Sequence, residues 1–244
     1  MMSVLPASSA DQPDLVLIPG FMCDQRLWQC ALPALQSMGR VHCMPAHQHD
    51  SIEACAAAVA EQIPDNAVVI GFSLGGYVAR HLAARWPHKV QRLFLLNSSA
   101  RATTGEEVAR AQQQLKALEV YPYRGQTRTA LLRALHPQRP EPRWIDCMLA
   151  MSVDLGIATF RQQMAIVRAD GHAELAALQC PVHIIASADD QMRTMQEAER
   201  MAAAARGSTL DMLSDCGHMS VFEQPEHVIR LLQYHLTTLP AGKF

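Results

Sequence analysis

The apolar positions fall in short unbroken runs closed by turn residues, with longer stretches of helical spacing between them. Leu15-Val16-Leu17-Ile18 stops at Pro19-Gly20, and Ala67-Val68-Val69-Ile70 stops at Gly71. Leu93-Phe94-Leu95-Leu96 and Pro181-Val182-His183-Ile184-Ile185 repeat the pattern. Runs this short and this uniformly apolar predict strands covered on both faces, since a strand with one wet face would alternate. Val41 to Met44 and Thr209 to Leu213 are weaker strand candidates. Helices are predicted over Ile52 to Gln62, Gly75 to Arg85, Gln196 to Ala205 and Pro225 to Leu236. Pro64, Pro87 and Gly207 sit where the first three would end, and Pro225 suits a first turn, where its missing N–H costs nothing. Strands alternating with helices predict an α/β fold: a mostly parallel twisted sheet with helices on both faces.

From about Thr103 to Leu178 this rhythm breaks. Helical patterns continue without a convincing strand, punctuated by Tyr121-Pro122-Tyr123, His136-Pro137 and Pro140-Glu141-Pro142. The expected organisation is a core of residues 1–101 and 180–244 interrupted by an all-helical insertion over 102–179.

Composition narrows the function. With 49% apolar and 18% charged residues over 244 positions, the chain can bury a sizeable core. A formal net charge of -2 leaves no basic excess for a phosphate backbone, so nucleic acid is not an expected partner. No apolar run approaches the ~20 residues that span a bilayer, so no membrane partner is expected. Met1 to Asp14 carries neither a basic residue nor a continuous apolar block, and does not read as a secretory signal. The seven cysteines include no C-x-x-C pair, so reduced thiols and a cytoplasmic location are expected. His42, Cys43, His47, His49 and Asp50 fit no metal-ligand spacing, so neither metal nor other cofactor is expected.

The chemistry concentrates at a few positions. Gly71-Phe72-Ser73-Leu74-Gly75 matches G-x-S-x-G between a buried strand and a helix. A serine hydroxyl attacks only when held clear of the backbone and touched by a base, and a tight strand-to-helix turn provides both. Its strained dihedrals require small neighbours. Asp215-Cys216-Gly217-His218 follows the last predicted strand, so His218 falls at the sheet edge where Ser73 sits and is the candidate base. The acid that orients it should follow the preceding strand, where Asp189 and Asp190 are adjacent; Asp215 is a third possibility within the histidine's own loop. The N–H groups of Leu74 and Phe21 are the candidate oxyanion donors. Met22, Phe72, Met148 and Met219 are candidate substrate contacts, flexible methionines suiting an adaptable apolar acyl site. Cys23 and Cys216 are expected near the site as small loop residues. Arg124, Arg128 and Arg133 could meet an anionic substrate or carrier protein, but Glu119 and Glu141 dilute their field, so a solvated surface is expected there.

Together these residues resemble the α/β-hydrolase superfamily over almost the whole chain, from about Asp14 to Leu236. Ile18-Pro19-Gly20-Phe21 is similar to the family's oxyanion segment, with Pro19 where histidine is common. Ala186 to Asp190 resembles its G-x-x-D acid turn with Ser187 in the glycine's place, a register that selects Asp190. Cys216 to Ser220 with Glu223-Gln224-Pro225 is similar to its histidine loop and final helix, and the helical insertion then corresponds to its cap. The chain most resembles the small capped esterases and lactonases, such as pimeloyl-carrier methyl ester esterases and 3-oxoadipate enol-lactonases. Two departures stand out: the family's two N-terminal strands have no counterpart before Leu15, and Pro45-Ala46-His47-Gln48-His49-Asp50 replaces a Pro-Asp-x-x-Gly segment. The resemblance implies hydrolysis of a small carboxylic ester through an acyl-serine, by a monomer or homodimer. A lactone or a carbon–carbon bond is the nearest rival substrate. The alternative of another class is a binding protein that kept the fold.

Overall fold

The computed structural model describes residues 12–45 and 49–238. His47 and most of the Met1 to Asp14 segment lie outside the described residues. Six strands form one sheet: β1 (Asp14–Ile18), β2 (Arg40–Cys43), β3 (Ala67–Phe72), β4 (Val90–Leu96), β5 (Val182–Ser187) and β6 (Thr209–Leu213). Their order is β2-β1-β3-β4-β5-β6, and every neighbouring pair is parallel. The helices are α1 (Leu32–Met38), α2 (Ile52–Gln62), α3 (Leu74–Arg85), α4 (Gly105–Ala117), α5 (Arg128–Leu132), α6 (Pro142–Ala165), α7 (His172–Ala177), α8 (Met195–Ala204), α9 (Ser220–Glu223) and α10 (Pro225–Thr238). Among the described residues no helix is long and apolar enough to cross a membrane, and all seven cysteines are free.

Two apolar layers explain the unbroken runs. Successive strand residues point to opposite faces, so Val16 and Ile18 pack with α2, α3 and α8, while Leu15 and Leu17 pack with α1 and α10. β3 runs two residues beyond the expected stop at Gly71, because Gly71 and Phe72 still pair with Leu95 and Leu96. Side chains start several helices: Ser51 accepts from Ala54 N–H at 3.1 Å, and Thr104 and Thr194 form reciprocal capping boxes with Glu107 and Glu197. The sequence did not signal α1 or α9. Only Leu35 of α1 is buried, and α9 is a single turn. Between β4 and β5 the chain is helical, α4 to α7, and α6 breaks at Gly156, whose φ is 76°. Sheet order reverses between β1 and β3, which opens a crevice beyond their carboxyl ends.

Within β5, His183 is fully buried and stacks at 4.3 Å on the ring of His235, which itself binds Asp211 at 2.6 Å. Burial, then the charges of His235 and Arg92, pushes the His183 pKa down to about 3. An unfolded histidine takes up its proton near pH 6.5. Between those values the unfolded chain therefore binds more protons, and stability falls as pH falls, by up to about 1.4 kcal/mol per pH unit. Urea unfolding at pH 7 and pH 5 should show a loss of about 2 kcal/mol that shrinks in His183→Gln. An unchanged pH dependence in the variant would remove His183 as its source.

Candidate active site

Ser73 sits between β3 and α3 with φ 51° and ψ -113°, a conformation that side chains rarely adopt. Several contacts enforce it. Ser73 N–H donates to Leu96 O at 2.9 Å, and Ser73 O accepts from Ser98 Oγ at 2.8 Å and Gly76 N–H at 3.0 Å. A Cβ on Gly75 would stand 2.2 Å from Ile18 O, and one on Gly71 would stand 2.6 Å from Gly75 O. Both glycines are therefore required by close backbone approach.

His218 arrives on the loop between β6 and α9. Its Nε2 lies 2.9 Å from Ser73 Oγ and its Nδ1 lies 2.7 Å from Asp190 Oδ2. All three side chains are buried. Asp190 Oδ2 also accepts from Asn97 Nδ2 at 3.1 Å, and Oδ1 accepts from Met192 and Arg193 N–H at 2.7 and 2.9 Å. Burial works to raise the Asp190 pKa, but the facing His218 and these backbone donors outweigh it and hold the carboxyl below its ordinary value. The carboxylate thus stays ionised wherever an imidazole changes charge.

The other two aspartates face elsewhere. Asp189 Oδ2 and Asp215 Oδ1 lie 3.6 and 3.3 Å from His136 Nε2, and Arg139 pairs with Asp215. These are the one group among the described residues whose atoms could converge on an ion, all within 4.8 Å. His136 Nδ1 accepts from Gln138 N–H at 3.2 Å, so the proton of the neutral ring lies on Nε2, facing the aspartates, and no lone pair is offered there. His42, from the other candidate cluster, lies 2.7 Å from Asp14 Oδ1.

Phe21 and Leu74 line a cavity of ≈ 470 Å³ together with Ser73. Leu74 leads α3, where no carbonyl four residues back is in helical reach of its N–H. α4 and the end of α6 also line it, through Val108, Ala111, Leu115 and Met164. Met22, Phe72, Met148 and Met219 are buried in the interior and do not line this cavity. Met22 instead turns the chain at φ 51°, its N–H donating to Gln163 Oε1 at 2.7 Å, and the Phe72 ring packs 5.3 Å from that of His218. Burial first, with nearby carboxylates, pushes Cys23 and Cys216 up to about 12, so both stay protonated thiols. Arg133 borders a second cavity, and Arg128 meets Asp146 at the surface.

Sequence reasoning missed the supports. Asn97, at φ 45°, donates to Asp190 and Ser187 and accepts from Ser220 Oγ at 2.6 Å. Glu223 accepts from Gly217 N–H at 2.7 Å and His136 N–H at 3.0 Å, tying the His218 loop to the inserted helices. Asn97 follows β4 directly, so a survey of polar residues after each strand would have found it. Glu223 carried a signal only as part of the histidine-loop resemblance, which gave no sign of its contacts.

Comparison with known proteins agrees with this architecture. The model of the alpha/beta hydrolase family matches residues 15–231. A pimeloyl-[acyl-carrier protein] methyl ester esterase from Aromatoleum aromaticum is 30% identical, covering 91% of this chain and 98% of its own. Among solved structures, a thermophilic esterase from Thermogutta terrifontis superposes with a TM-score of 0.79 at 22% identity, over 92% of this chain and 89% of that one. An enol-lactonase from Burkholderia xenovorans does so with 0.78 at 22% identity, over 93% and 92%. With a parallel sheet, a strained serine turn at its switch point and a family match over most of its length, the chain belongs to the alpha/beta hydrolase family.

Proposed function

We propose that this ester hydrolase cleaves small to medium carboxylic esters through an acyl-Ser73 intermediate. The observation that carries this reading is the unbroken buried line Asp190–His218–Ser73, with contacts of 2.7 and 2.9 Å, ending on the strained turn. His218 Nε2 takes the proton as Ser73 Oγ attacks the ester carbonyl. The carbonyl oxygen becomes an oxyanion met by the N–H groups of Phe21 and Leu74, each such donor supplying about 3 kcal/mol. His218 then protonates the leaving alkoxide, and the C–O bond breaks to leave the acyl-serine. Water, deprotonated by His218, releases the acid by the same steps. Asp190 holds the Nδ1 proton and stabilises the imidazolium.

A cavity of ≈ 470 Å³ suits a short or medium acyl chain. The helices within residues 102–179 act as the cap that sets acyl preference. The relative named as a methyl ester esterase favours an acyclic ester over a lactone or a carbon–carbon bond. The test is hydrolysis of p-nitrophenyl butyrate with parallel fluorophosphonate labelling. Turnover and an adduct mapped to Ser73 are expected. An adduct on another residue, or turnover that survives labelling of Ser73, overturns the reading.

A further inference from the structure

The wall of the Ser73 cavity holds a group of buried donors that the hydrolytic chemistry does not use. The ring of Tyr77, on α3, carries three guanidinium groups: Arg168 at 5.3 Å, Arg80 at 5.4 Å and Arg193 at 5.9 Å from its centroid. Arg168 and Arg193 line the cavity with Ser73. Four buried donors here find no acceptor among the described residues: Arg168 Nε, Arg193 Nε, Arg80 Nη1 and the Tyr77 hydroxyl. An unsatisfied buried donor costs about 1–3 kcal/mol, and more when charged.

Charge is equally unbalanced. Arg80 binds Glu174, and Arg101 binds both Glu107 and Glu197. Arg168 shares Glu107 at 3.2 Å. Among the described residues Arg193 has no carboxylate partner; its Nη1 donates to Met192 O at 2.8 Å. Among the described residues, four guanidinium groups thus face the three carboxylates of Glu107, Glu174 and Glu197. Glu107 is already committed to Arg101, Arg168 and Thr104 N–H. Burial first, and then the charges of Arg193 and Arg101, lowers the Arg168 pKa, the mark of cations crowded away from water. The lining that Ser73 shares with Arg168 and Arg193 also includes apolar side chains, among them Ala111, Leu115 and Ile166.

We infer that Arg168 and Arg193 form an anion subsite, so that the preferred substrate carries a free carboxylate across an apolar spacer from its scissile ester, as a half-ester of a dicarboxylic acid does. Guanidinium suits this role because its planar fork meets a carboxylate with two donors. This rests on the ester-hydrolase reading of Ser73.

Monomethyl and dimethyl adipate share one chain and one scissile group and differ in the anion. Methyl ester hydrolysis followed in a pH-stat should give a kcat/KM at least tenfold higher for the monomethyl ester, counted per ester group, with the difference in KM. Arg193→Gln should collapse that ratio about tenfold, Arg193→Lys should restore part of it, and added salt should lower it. A folded Arg193→Gln protein with the wild-type ratio, or a wild type without preference, overturns the subsite and leaves the esterase reading intact. If neither ester turns over and Ser73 takes no fluorophosphonate, the esterase reading fails instead. Calorimetry of Ser73→Ala with adipate and with neutral adipamide decides the subsite independently of turnover. Tighter adipate binding, lost in the double variant with Arg193→Gln, supports it, and equal binding overturns it.

Discussion

Ser73→Ala is expected to lower kcat on p-nitrophenyl butyrate by about 10⁵–10⁶, the scale of removing a serine nucleophile whose partners act as one unit. Alanine deletes only the hydroxyl, which meets His218 Nε2 at 2.9 Å. The turn that carries it is held through the Ser73 backbone N–H and carbonyl, which meet Leu96 O and Ser98 Oγ, and these contacts remain. The melting temperature should therefore move by no more than about 2 °C, a surface-scale change for a chain of this length. The burst of p-nitrophenol should vanish with the hydroxyl. A folded Ser73→Ala protein that keeps a tenth of the wild-type rate would exclude an acyl-Ser73 pathway.

Asp190→Asn is expected to cost about 10⁴ in kcat, because an amide can present an N–H to His218 Nδ1 and so place the imidazole proton on Nε2, facing Ser73. The asparagine Oδ1 can still accept from Met192 and Arg193 N–H, so the turn should persist and the loss should be catalytic. Asp189→Asn should stay within about threefold of wild type. The Asp189 side chain is 39% exposed and its nearest ring partner is His136 at 3.6 Å, a pair of small energetic weight. Steady-state rates on the two purified variants, with circular dichroism as the folding check, separate these outcomes. Equal losses, or the larger loss at Asp189, would show that Asp190 is not the orienting acid.

Much of the fold was legible because it depends on local pattern. The run Ala67 to Ile70 bounded by Gly71 marks a strand buried on both faces, and the observed β3 is buried at every position. Ile52 to Gln62 begins after Ser51 and ends before Pro64, and α2 occupies those residues. α1 was not legible, since one buried leucine sets no period. Within the candidate site, Ser73 and His218 were legible from their place between strand and helix. Asp189 and Asp190 were indistinguishable by spacing. They differ by one residue on a turn, and the structure turns Asp190 toward His218 and Asp189 toward His136.

The cavity shows where the sequence stops informing. Met22, Phe72, Met148 and Met219 are apolar and close in sequence to the candidate site or within the inserted helices, yet each packs into the interior. Helix phase sets the direction of Met148 and strand alternation that of Phe72, while Met22 sits on a turn at φ 51° held by Gln163, 141 positions away in the chain.

The sequence by itself determined the strand–helix alternation, the serine turn and the order serine, acid, histidine, because each depends on residues a few positions apart. Only the tertiary structure decided which side chains line the cavity at Ser73 and that Arg168 and Arg193 gather with Arg80 on the ring of Tyr77, and it turned toward His218 the aspartate that spacing left open and the family register selected. The physical reason is range. Backbone propensity and burial period act within a few residues, whereas a hydrogen bond or a shared cavity wall joins segments that meet only once the sheet has formed.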